Sequence, residues 1–82
     1  MKIIYQDAGY EARLIITGNL FEAGKINALL DKILLASPQL RVVQNGFFVR
    51  EIIIMGLPLH VLCAEAILHE AGLDVEYDAV FL

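Results

Sequence analysis

Three carboxylates recur at every second position late in the chain, Asp74, Glu76 and Asp78, alternating with Leu73, Val75, Tyr77, Ala79 and Phe81. On an extended strand such residues share one side and stand roughly 6.5–7 Å apart, so all three cannot reach one ion at about 2–2.6 Å without a further element. No metal is expected there. The chemistry this row supports is electrostatic: an acidic stripe that can meet a basic surface on a partner protein, with Glu65 and Glu70 adding to it from the preceding segment. Arg41 and Arg50 could do the complementary task and hold an anion or carboxylate between them. Glu65 and His69, four apart, suit a surface pair on a helix. His60 and Cys63 lie three apart among apolar neighbours, where a thiol is expected to be buried and structural. With Ser37 the one serine and Thr17 the one threonine, no nucleophile stands beside an oriented base. Neither an enzyme nor a cofactor is expected.

The rest of the composition says what must carry these groups. The chain has 82 residues, 59% of them hydrophobic and 20% charged, which excludes disorder and allows one domain over residues 1–82. A domain of this size has little interior in which to hide so much apolar surface, so self-association is expected. The net charge is −4, and it is unevenly spread. All six Lys and Arg fall in residues 1–50, whereas residues 51–82 hold Glu51, Glu65, Glu70, Asp74, Glu76 and Asp78 with no cation. That asymmetry suits contact between copies or with a basic protein. Cys63 is the one cysteine, so no internal disulfide forms, and the first residues lack the apolar core of a signal peptide. The apolar run from Ile52 to Ala64 is interrupted by Gly56, Pro58 and His60 and falls short of the about 20 residues of a membrane span. A cytoplasmic chain with no membrane association is the expectation.

Local signals place the elements. Lys2 to Gln6 and Ala12 to Thr17 read as strands around the turn Asp7-Ala8-Gly9-Tyr10. Asn19 and Glu22 have the spacing of a capping box and open a helix to about Ala36, ended by Ser37-Pro38. Ala23, Ile26, Leu30, Ile33 and Leu34 form its apolar face. Leu40 to Gln44 and Phe47 to Met55 read as a hairpin around Asn45-Gly46 in a type I′ turn. A two-residue loop would set Val42 opposite Val49 and Arg41 opposite Arg50. Pro58 and Gly72 bracket a second helix, and Leu73 to Leu82 reads as a final strand. The fold expected is α+β: a two-layer sandwich, ferredoxin-like βαββαβ, with an extra N-terminal strand at an edge or replacing one of the usual pairings.

Two elements are apolar on both sides. In the second helix Val61, Ala64, Ile67, Leu68 and Ala71 suit the sheet, while Leu59, Leu62 and Ala66 point away from it beside Glu65, His69 and Glu70. In the hairpin, one side carries Val43, Phe48, Ile52 and Ile54, and the other carries Val42, Phe47, Val49, Ile53 and Met55. Leu59, Leu62, Ala66, Phe47 and Val49 are therefore the expected self-association residues of a homo-oligomer.

Some segments resemble known families. Leu14-Ile15-Ile16-Thr17-Gly18-Asn19-Leu20 resembles the first-strand motif of RNA recognition motifs, and Asn45-Gly46-Phe47-Phe48-Val49-Arg50 resembles their third-strand motif. Those domains stack bases on sheet aromatics in basic surroundings. Here Ile15 stands at the aromatic position and the chain is acidic, so nucleic acid is not an expected partner. Glu70-Ala71-Gly72-Leu73-Asp74-Val75-Glu76-Tyr77 is similar to the helix-to-strand passage of ACT regulatory domains, although in that family the passage usually follows the first helix. That likeness implies a small-ligand-binding regulatory domain, with the ligand's carboxylate near Arg41 and Arg50. The leading expectation is a non-catalytic protein-interaction module, a regulator or inhibitor that occupies a partner's basic surface.

Overall fold

A computed structural model describes residues 1–46 and 48–79. The first strand, β1 (Lys2–Asp7), turns at Gly9 into β2 (Ala12–Asn19), and the two pair antiparallel from Lys2↔Thr17 to Asp7↔Ala12. The side chains alternate as a strand requires: Ile3, Tyr5, Ala12, Leu14 and Ile16 are buried, and their neighbours are half-buried or exposed.

At the end of β2 the Asn19 Oδ1 accepts from the Glu22 backbone NH at 3.1 Å, while Glu22 Oε1 accepts from the Asn19 NH at 3.1 Å. This is the expected capping box. It closes a 3-10 turn, Leu20–Glu22, that runs into α1 (Ala23–Ala36), and the bond from the Asn19 NH holds the Glu22 carboxyl below its ordinary range. Ile26, Leu29, Leu30 and Ile33 form the buried side of α1. Leu29 joins the expected stripe because it lies between Ile26 and Ile33 on the helix surface.

The second helix, α2 (Pro58–Glu70), has Pro58 in its first turn and ends as its sequence predicts. Gly72 takes φ +82, its NH donates to the His69 carbonyl at 2.9 Å, and the Leu73 NH donates to Leu68 at 3.1 Å. Those two bonds make a Schellman cap, which satisfies carbonyls the helix would otherwise leave open. Val61, Ala64 and Leu68 are fully buried, and Leu73 packs against the core.

The remaining strands are β3 (Arg41–Asn45), β4 (Val49–Gly56) and β5 (Glu76–Ala79). Together they make a mixed five-stranded sheet in the order β3-β4-β2-β1-β5, antiparallel throughout except for the parallel β1–β5 pair. The architecture is therefore α+β with element order ββαββαβ. The N-terminal strand is not at an edge. It lies between β2 and β5 and takes both pairings, so β2 and β5 are not neighbours as a plain βαββαβ order would have them. Residues from both helices share one apolar core with Leu14, Ile16, Ile52 and Ile54, and no described helix is long and apolar enough to cross a membrane.

The hairpin departs from expectation in its register. Val42 pairs with Ile54 and Asn45 with Glu51, so the β3–β4 ladder ends at Asn45 and Glu51 and Asn45-Gly46 is not a two-residue turn. A type I′ turn needs positive φ at both central residues, and among the described residues only glycines have it: Gly46 has φ +88, and Asn45 does not. The register moves by five positions relative to a two-residue loop. An odd shift exchanges the sides of β3 relative to β4, so Val42 packs against the core with Ile54 while Val43 is exposed on the other face.

Gly46 carries the sharpest local constraint, because a Cβ built there would lie 2.0 Å from the Val49 carbonyl oxygen. Gly46→Ala should lose at least the ~1–3 kcal/mol of a strained left-handed residue, read as a lower urea midpoint at unchanged slope.

Candidate functional site

Both helices cover one face of the sheet, and no described element covers the other. The open face can be followed across the strands by the pairing register. One row runs Arg41, Met55, Arg13, Gln6, Asp78, and the next runs Val43, Ile53, Ile15, Ile4, Glu76. A third runs Asn45, Glu51, Thr17, Lys2. The centre is thus apolar, with Ile4, Ile15, Ile53 and Met55 half-buried by their neighbours alone. One edge is acidic through Glu76 and Asp78, and the opposite edge carries Arg41. None of the described strand residues on this face is aromatic.

The acidic edge is held in place from the covered side. Between Glu76 and Asp78, Tyr77 lies on the helix side, paired with Tyr5 across the sheet, with ring centroids 5.7 Å apart. Its hydroxyl donates to Glu65 Oε1, and His69 Nε2 lies 2.9 Å from the same oxygen. Glu65 is only 7% exposed, so these two donors replace the water it has lost. The contact ties α2 to β5. The hydrogen bond to Glu65 raises the Tyr77 phenol above its ordinary range, and burial, reinforced by Asp7, raises that of Tyr5.

The other expected residues distribute as follows. Glu65, assigned by its position to the partner-binding stripe, is buried instead, because Tyr77 and His69 compensate it. Asp74 is exposed just before β5, Glu76 and Asp78 are exposed within it, and Glu70 is exposed at the end of α2. The Gln6 amide donates to Asp78 at 3.4 Å. Leu59 and Leu62, with Ala66, are exposed on the outer side of α2, and Val49 is exposed at the start of β4. Phe47 and residues 80–82, including Phe81, lie outside the described residues. Cys63, expected to be buried, is exposed, since it falls on the side of α2 turned from the sheet.

Arg41 and Arg50 do not face one another. Arg41 pairs with Met55 on the open face and reaches Glu11 at 3.1 Å, whereas Arg50 pairs with Gly18 on the helix face and donates to Gln44 at 2.6 Å. The odd register shift has put them on opposite sides, so no carboxylate cradle forms between them. A shallow cleft of about 300 Å³ on the helix layer is lined by Lys32, Ile67, Glu70 and Ala71 and not by Glu65, His69 or Tyr77. Comparison with protein-family models, with curated proteins and with solved structures yields no match.

The sequence shows the outward apolar side of the hairpin, with Ile53 and Met55, but its continuation through Ile15 and Ile4 is a feature the sequence reading lacks, although the unbroken run Leu14-Ile15-Ile16 marks a strand apolar on both sides. The Glu65–Tyr77 contact carries no such signal, since nothing local specifies which distant donor meets a helical carboxylate.

An alkaline titration checks this contact. Tyr5 and Tyr77 should ionise above the ordinary phenol range near 10, and Glu65→Gln should bring Tyr77 back toward it. Because the folded values are raised, the associated stability is complete below pH ~10 and is lost as pH rises through the folded values. An unchanged phenolate absorbance curve in Glu65→Gln would show that Glu65 does not hold Tyr77.

Proposed function

We propose that the chain is a small non-catalytic protein-interaction module that binds a basic surface of a partner protein and also self-associates, acting as a regulator or inhibitor by occupying that surface. The observation that carries this reading is the open sheet face, an apolar strip bordered by the acid groups of β5. An apolar centre with a charged rim is the layout of a protein interface: the centre supplies affinity, and the rim supplies encounter rate and orientation. The fold is read as a ferredoxin-like plan from β2 to β5 into which β1 has been inserted between β2 and β5.

The titratable cluster at Glu65 supports a structural role over a catalytic one. Both of its donors are spent on one buried oxygen, and none of the three residues lines the cleft on the helix layer. The small-ligand reading has less support, because its two arginines lie on opposite faces.

The test is affinity capture followed by mass spectrometry, using the native chain and the triple variant Asp74→Asn, Glu76→Gln, Asp78→Asn. The three groups are exposed, so the variant should keep its unfolding midpoint. Proteins with basic surfaces should be enriched by the native chain and lost with the variant, and the association rate of a captured partner should lose its salt dependence. Unfolding of the variant would make the stripe structural. Unchanged binding would remove the electrostatic part of the reading.

A further inference from the structure

We infer that the open sheet face docks on a second copy of itself, about a two-fold axis that runs parallel to the strands above β2. The inference rests on the reading of this face as an interaction surface and names its occupant. In the sheet order β3-β4-β2-β1-β5, β2 is the middle strand. Rotation about an axis over β2 exchanges β3 with β5 and β4 with β1. Ile15 then meets Ile15 of the second copy, and Ile53 meets Ile4, which closes the apolar strip on itself. At the edges Arg41 comes over Asp78, and nearer the axis Glu51 comes over Lys2.

Both charge pairs are of opposite sign; Arg41 and Asp78 also have exposed partners in their own chain, Glu11 and Gln6, so the Lys2–Glu51 pair is the more telling one. Lys2 and Glu51 lie two strands apart and make no ion pair with each other or with other described residues. Stacked sheets cross at about 30°, which displaces edge pairs by a residue or so. The acidic edge tolerates that displacement, because Glu76 and Asp78 both lie on this face. A two-fold axis perpendicular to the strands would keep each strand over its own copy and set Glu76 against Glu76, so the charge pattern favours the first axis. It also sets Glu76 over Val43 at the edge of the apolar row, and Arg13 against Arg13 at the end of β2 beside the β1–β2 turn, where the exposed side chains can splay into water.

Size is consistent with this occupant. At ~3.3 Å per residue and ~4.8 Å between strands, the five strands cover about 500 Å² in projection, or about 1,000 Å² for two copies. That is near the lower bound of specific interfaces, so a concentration-dependent dimer is expected.

Sedimentation equilibrium tests the proposal on the intact chain. At tens of micromolar the native chain should show twice its 9.1 kDa mass, and Ile15→Glu, with an unchanged circular dichroism spectrum, should be monomeric. Lys2→Glu and Glu51→Lys should each weaken association by about tenfold, and the double variant should restore it to within about threefold. This charge swap decides the matter even if Ile15→Glu does not fold. Arg13→Gln should tighten the dimer, because on this axis it removes a self-repulsion. A monomer at hundreds of micromolar overturns the proposal. So does a dimer that survives Ile15→Glu and is lost in Leu62→Glu, which would assign it to the outer side of α2, or a double charge variant that fails to rescue. Partner binding measured at concentrations where the chain is monomeric is a separate readout, so loss of one reading leaves the other standing.

Discussion

Two helices can cover only one face of a five-stranded sheet, and the rest of this molecule follows from that shortage. The strands are apolar on both sides, with Leu14 and Ile16 buried on one face and Ile15 between them on the other. The core under α1 and α2 uses the first set. The second set has hydrogen-bonded strands around it but no layer above it. Burying apolar surface is the main stabilising term in folding, roughly 25 cal/mol per Å², so a strip of isoleucine and methionine left at the surface is a standing source of attraction for another protein.

The position of β1 between β2 and β5 widens the open face and adds Lys2, Ile4 and Gln6 to it. It also carries β5 outward, so the acidic residues form one border of the face while Arg41 on β3 borders the other. Pairing with β1 and alternation along β5 put Glu76 and Asp78 on the open face and Tyr77 on the covered side, where its hydroxyl donates to the buried Glu65 of α2.

How much of this was legible depended on the range of the interaction. The ends of both helices were readable because their signals are local: the Asn19–Glu22 box, Pro58 in the first turn, and Gly72 with Leu73 past the end all act within a few residues. The hairpin register is not legible locally: Asn45-Gly46 favours a tight turn, while the pairing of Asn45 with Glu51 is decided by which side chains of β4 enter the core, and the odd shift between the two registers puts Arg41 and Arg50 on opposite sides. The place of β1 and the burial of Glu65 were not legible, because each depends on partners far away in sequence, β5 for the strand and Tyr77 for the carboxylate. Cys63 was misplaced by its apolar neighbours Leu62 and Ala64, only the second of which is buried.

The same acidic groups enter both contacts argued above, and that overlap has a mechanistic consequence. A carboxylate such as Asp78 can face a guanidinium from a second copy or a cation on another protein, but not both in one geometry. If the face dimerises, a basic partner meets an accessible acidic edge only on the monomer, so its apparent affinity is reduced by the monomer fraction. Partner binding then draws the dimer apart by mass action, and a rise in chain concentration opposes it. A module built this way would need no separate switch, because the shared carboxylates of β5 would couple the two equilibria.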